Sequence, residues 1–119
     1  PLLNRKARGD WQITAIKLAQ TDQALRQKRQ EIASKVRQYA NDLDNFGRQL
    51  PLFRDFTANY RLLLDAEFEK FRQGESSVFL INAREQRWLE AQIKYLKLLS
   101  EYRKAEAGLQ WAMGRLSGF

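Results

Sequence analysis

The stretch FRQGESSVFLINARE, residues Phe71–Glu85, interrupts a sequence that is otherwise rich in helix-forming residues. A glycine, an acid and two serines are followed at once by the apolar run Val78–Ile81. Gly74 suits the left-handed position that commonly ends a helix. The hydroxyl of Ser76 or Ser77 can cap the first amides of a following helix. The stretch therefore predicts a tight turn between two helices.

One apolar stripe runs along the segment before the turn. In steps of four and three residues from Trp11 to Phe71, 14 of 18 positions are apolar or aromatic. A spacing of about 3.5 residues keeps a narrow stripe facing a partner helix, as in a coiled coil. We predict one helix over residues 10–72, about 95 Å long at about 1.5 Å per residue. Residues 1–9 are predicted to be an irregular lead-in.

Pro51 lies inside this predicted helix. Its ring clashes with the carbonyl group four residues earlier, at Gly47. The apolar stripe nevertheless keeps its register across both residues. The pattern therefore predicts a bend near residues 47–51 within a continuous rod.

A second stripe follows the predicted turn at residues 73–76, in a helix predicted over residues 77–117. If the chain reverses at Gly74, facing residues have numbers that add to about 148, and stripe meets stripe throughout. Glu67 and Arg84 then lie close enough for an ion pair. The main residues predicted to form this hairpin seam are Tyr60, Phe53, Phe46, Tyr39, Trp88, Tyr95, Tyr102 and Leu109. The predicted fold class is all-α, a long antiparallel two-helix coiled-coil hairpin that occupies residues 1–119 as one unit.

Two apolar surfaces have no partner in such a hairpin. Residues 10–31 extend past the end of the second helix, although Trp11, Leu18 and Leu25 are apolar. The second helix also carries apolar residues off its seam: Leu80, Leu89, Ile93, Leu96 and Leu99. Apolar flanks of this kind predict packing against further helices, and self-association when these are absent.

The composition excludes several classes of function. The 119 residues contain no cysteine and no histidine, which rules out disulfides, thiolate nucleophiles, Ser-His-Asp triads and most zinc sites. We expect no enzyme and no cofactor, because a coiled coil offers no concave pocket. The net charge of +7 is spread over mixed charges along the chain, which favours solvated helix faces over a nucleic-acid site. Because the chain begins at Pro1 without an initiator Met or a signal peptide, we expect an excised part of a longer protein.

The motifs FxxGxSSVxLINA (71–83), LxAxxxY (89–95) and YxxAxxxLxxxxG (102–114) resemble those of TolC-type outer-membrane efflux proteins. Asn82 stands where that family more commonly has Asp. The resemblance implies the second long helical hairpin of a trimeric channel, a segment of a periplasmic α-helical barrel. The hairpin tips of such channels meet a periplasmic adaptor protein, which links the channel to an inner-membrane pump.

Carried over to this chain, the resemblance makes Gly74 the tip turn. The residues it implies for contact with the adaptor or with neighbouring tips are Arg72, Gln73, Gly74, Glu75, Ser76, Ser77, Val78, Phe79 and Leu80. Two other interpretations remain open. A generic coiled-coil scaffold would share the stripes, and a basic domain that binds membrane surfaces would share the charge.

Overall fold

A computed structural model describes residues 2–117 and the side chains of residues 2–114. It contains helix α1, Leu2–Arg72, and helix α2, Val78–Ser117, joined by a five-residue turn. The described residues include no strand. The helices run antiparallel, and the molecule measures 106 × 24 × 15 Å along its principal axes. The prediction of an all-α helical hairpin is confirmed.

Helix α1 begins earlier than the sequence predicted. Residues 2–9, expected to be irregular, are already helical. Leucine, arginine, lysine and alanine make up most of this segment, and all four are strong helix formers. Gly9 alone is too weak a breaker to separate the segment from the helix that follows. Pro1, Gly118 and Phe119 lie outside the described residues.

Helix α1 also continues through Pro51. A straight helix of 71 residues would measure about 106 Å at about 1.5 Å per residue. The longest dimension of the molecule is the same, 106 Å. The bend predicted near residues 47–51 is therefore slight, and the exposed face on which Pro51 lies lets its ring avoid the seam.

The register of the hairpin follows from side-chain contacts between the helices. The Lys35 Nζ atom lies 5.8 Å from the ring centre of Trp111, and the Lys94 Nζ atom lies 5.7 Å from that of Phe53. The residue numbers of these pairs add to 146 and 147, against the predicted value of about 148. The buried apolar residues all fall on the two predicted stripes: Ile32, Leu64, Ile81, Ala91, Ala105 and Ala112.

The helices approach closely where Gly108 of α2 faces Tyr39 of α1. A Cβ atom on Gly108 would lie 2.6 Å from the Cε1 and Cζ atoms of the Tyr39 ring. The related pair of Gly47 and Tyr102 leaves 3.6 Å, which is an ordinary contact. Both glycines thus face a tyrosine ring across the seam, but only Gly47 has room for a Cβ atom.

Candidate functional site: the hairpin tip

The turn at the tip is held by backbone hydrogen bonds that end α1. The Glu75 amide donates to the Lys70 carbonyl at 2.8 Å, and the Gly74 amide donates to the Phe71 carbonyl at 3.0 Å. Gly74 has a φ angle of +78°, in the left-handed region that glycine adopts without steric cost. This pair of bonds is the Schellman arrangement. The prediction that Gly74 terminates the helix is confirmed.

Ser77 caps the start of α2. Its Oγ atom accepts a hydrogen bond of 3.3 Å from the Leu80 amide, and its carbonyl accepts one of 3.1 Å from the Ile81 amide. These are the bonds of an N-cap residue. Of the two serines that the sequence offered for this role, Ser77 is therefore the cap. Ser76 has a different partner.

A polar cluster lies just inside the tip. The Ser76 hydroxyl donates a hydrogen bond of 2.8 Å to the Oε1 atom of Glu67. The Nε atom of Arg84 lies 3.9 Å from the Oε2 atom of the same carboxylate, as the sequence predicted for an ion pair across the seam. Glu67 is only 5% exposed. The cluster therefore connects α1, the turn and α2.

Three apolar side chains beside the cap point away from the hairpin. Phe79 is 78% exposed, Val78 is 59% exposed and Leu80 is 44% exposed. The next residue, Ile81, is instead buried in the seam. The face of α2 on which each residue lies sets this division, because Ile81 is on the seam stripe and residues 78–80 are off it. Exposed apolar side chains grouped in this way are typical of contact surfaces.

The remaining predicted tip residues are polar and exposed. Arg72 and Gln73 both contact the Glu69 side chain, at 3.3 and 3.4 Å. Both of these contacts are local to the end of α1. The side chain of Glu75 is exposed. The structure thus brings all nine predicted tip residues to one end of the rod, with the apolar ones on the α2 side.

The predicted seam residues lie along the interface of the helices, where all eight are half-buried. Two of them also carry a cation at the edge of the seam: Arg61 lies 4.7 Å from the ring centre of Trp88, and Lys94 lies over Phe53. A two-helix seam leaves one edge of each aromatic ring uncovered, and these long side chains cover part of it. The eight residues are Tyr39, Phe46, Phe53, Tyr60, Trp88, Tyr95, Tyr102 and Leu109.

The hairpin has an exposed apolar surface on each of its two faces. One groove beside the seam contains Phe56 and Lys94, and the groove on the opposite side contains Arg54 and Leu99. In a seven-residue pattern Phe56 and Arg54 flank the seam residue Phe53 on opposite sides. The α1 surface lies beside the first groove and consists of Leu52, Phe56 and Leu63. The α2 surface lies beside the second groove and consists of the exposed Leu89 and Leu96 and the half-buried Leu99.

A third apolar surface lies at the other end of α1. By the register of the seam, Ser117, the last described residue of α2, faces residue 31. Residues 2–30 therefore extend beyond α2, and Trp11 and Leu18 are 74% and 67% exposed. As the sequence predicted, this segment has no partner within the described hairpin.

Charged groups on the rod are paired mostly within their own helix. Most ion pairs join residues three or four positions apart, as in Arg26 with Asp22 and Arg103 with Glu106. The carboxylate of Asp44 accepts a hydrogen bond from Arg48. This bond, together with the negative charge of Asp44, raises the pKa of the Arg48 guanidinium. Among residues 2–117 there is no cluster of metal-ligating side chains and no helix apolar enough to cross a membrane.

The sequence did not reveal two of these features. The bond between Ser76 and Glu67 depends on how the turn folds back over α1, and only the general preference of serine for turns pointed to it. The close approach of Gly108 to Tyr39 depends on the local separation of the helices. A glycine inside a helical pattern, where it costs about 1 kcal/mol relative to alanine, was the available signal.

Comparisons of the chain with protein-family models, with curated proteins and with solved structures found no match.

Proposed function

We propose that this chain is a periplasmic tunnel hairpin of a trimeric outer-membrane efflux channel of the TolC type. Its tip contacts a periplasmic adaptor protein and neighbouring helices, and so couples the channel to an inner-membrane pump. The chain then serves as a wall and a docking end and performs no catalysis. It lies on the periplasmic side of the outer membrane.

The observation that carries the proposal is the tip itself. A chain reversal needs a glycine and a cap, and Gly74 and Ser77 supply both. It does not need a phenylalanine that is 78% exposed between two other exposed apolar residues. Such residues lower solubility unless another surface covers them. A partner that docks on the end of the rod explains them.

The apolar surfaces along the shaft also support the proposal. The α1 surface and the α2 surface lie beside grooves on opposite faces of the hairpin. A hairpin in the wall of a helical barrel has a neighbour on each side, so it needs one apolar edge for each. A generic two-helix scaffold needs only its seam.

Dye efflux in the bacterium that encodes the chain tests the proposal. Phe79→Ser removes the most exposed of the three tip side chains without touching the seam. Cells that carry it should retain more of a fluorescent efflux substrate than cells with the unaltered protein, at equal protein abundance. Leu62→Ser is the matched control, because Leu62 is 65% exposed on the shaft of α1. Normal efflux with Phe79→Ser would contradict the proposal that the tip couples the channel to the pump.

Liposome binding separates this proposal from a membrane-surface function. A basic domain of that kind should bind vesicles containing anionic lipids, and added salt should weaken the binding. A tunnel hairpin should remain in the supernatant when such vesicles are sedimented. Salt-sensitive binding of the chain would therefore favour the membrane-surface interpretation.

A further inference from the structure

Glu67 is the one buried polar residue among those described. It occupies a seam position of α1, one turn after the buried Leu64 and opposite the buried Ile81. Every other buried seam position holds an apolar side chain. A well-packed apolar residue in place of a buried ion pair is often neutral or stabilising. The carboxylate is thus a poor choice for seam stability alone.

The contacts of Glu67 indicate another role. One carboxylate oxygen accepts the Ser76 hydroxyl at 2.8 Å, and the other lies 3.9 Å from the Arg84 Nε atom. Ser76 is the only turn residue whose side chain is turned partly inward. It is also the residue immediately before the Ser77 cap. A contact that restrains Ser76 therefore also restrains the start of α2.

We propose that Glu67 is a positioning residue for the hairpin tip. It accepts a hydrogen bond from Ser76 and forms an ion pair with Arg84. These contacts fix the conformation of the turn, and with it the direction in which the side chains of Val78 and Phe79 point at the end of the rod. The proposal rests on the proposed function only for the use made of the tip. The positioning itself is a property of this chain and can be tested without any partner.

Amide hydrogen exchange of the 119-residue chain, read residue by residue by NMR, tests the positioning. Glu67→Leu places an apolar side chain at this seam position and removes both polar contacts, and Ser76→Ala removes the contact from the turn side. In both variants the amides of Glu75 and Leu80 should exchange about tenfold faster, as expected when a hydrogen bond to a charged group is lost. Glu67→Gln keeps an acceptor for Ser76 and should show a smaller increase.

The seam supplies an internal reference and the shaft a matched control. The amides of Tyr95 and Leu98, about five turns from the start of α2, should exchange at unchanged rates in all three variants. Asp65→Asn alters an exposed acid whose partner, Arg61, is on the same helix, and should leave exchange at the tip unchanged.

Three results would overturn the proposal. One is unchanged exchange of Glu75 and Leu80 in Ser76→Ala. Another is an acceleration shared equally by the tip and the seam, which would make Glu67 a general stabilising residue. The third is unchanged tip exchange in a Glu67→Leu variant that keeps its helical structure. None of these results bears on dye efflux, so the positioning and the proposed function can fail independently.

Discussion

The pair of Gly108 and Tyr39 offers a sharp test of how the two helices pack. A methyl group on Gly108 would lie 2.6 Å from two atoms of the Tyr39 ring, well inside the contact distance of two carbon atoms. The ring would have to move by about 1 Å, or the helices would have to separate. Gly47 is the matched position, because the same methyl group there would lie 3.6 Å from the Tyr102 ring.

The two alanine variants share one energetic term and differ in another. Alanine is favoured over glycine inside a helix by about 1 kcal/mol, and this gain applies at both positions. Gly47→Ala should therefore stabilise the hairpin by about 1 kcal/mol. Overpacking costs about 1–3 kcal/mol, and it applies only to Gly108→Ala. The Gly108 variant should be less stable than the Gly47 variant by about 1–3 kcal/mol, since the propensity terms cancel.

Chemical denaturation followed by far-ultraviolet circular dichroism measures this difference. Tyr39→Leu combined with Gly108→Ala provides a check. In a chain without the Tyr39 ring, Gly108→Ala should lose most of its overpacking cost, so the double variant should lose little stability relative to Tyr39→Leu alone. Equal stabilisation by the two single alanine variants would refute the close approach at Gly108. It would also be refuted if Gly108→Ala destabilised the Tyr39→Leu chain as much as it destabilises the unaltered chain.

Three further predictions follow from the tip and from the free end of α1. Ser77→Ala should lower the free energy of unfolding by about 0.5–2 kcal/mol through loss of the cap, measured by the same denaturation; no change would contradict the cap. Gly74→Ala should cost about 1–2 kcal/mol, because a Cβ atom is disfavoured at a φ of +78°. In sedimentation the chain should form a dimer or a larger species, and Trp11→Ser combined with Leu18→Ser should lower the associated fraction. A monomer at all concentrations would contradict the prediction.

The hairpin and its register could be predicted from the sequence because both depend on periodicity. Stripes of equal spacing on either side of Gly74 permit one reversal and one pairing, and Glu67 then falls near Arg84. Helix ends are less predictable, since residues 2–9 differ from the rest of α1 in pattern but not in helix propensity.

The details of the site depend on distances that a pattern does not contain. The sequence offered Ser76 and Ser77 as equivalent caps, and the path of the turn assigns one to α2 and the other to Glu67. In the same way, every seam position has equal weight in a stripe. The local separation of the helices makes Gly108 different from Gly47.

Site-specific photo-crosslinking in intact cells tests the central claim most directly. A photoreactive amino acid at Phe79 lies at the tip, and one at Leu62 is nearly as exposed on the shaft. The account predicts a crosslink from position 79 to a periplasmic adaptor protein, and no adaptor crosslink from position 62. Absence of an adaptor crosslink from position 79, in cells that contain the assembled protein, would contradict it.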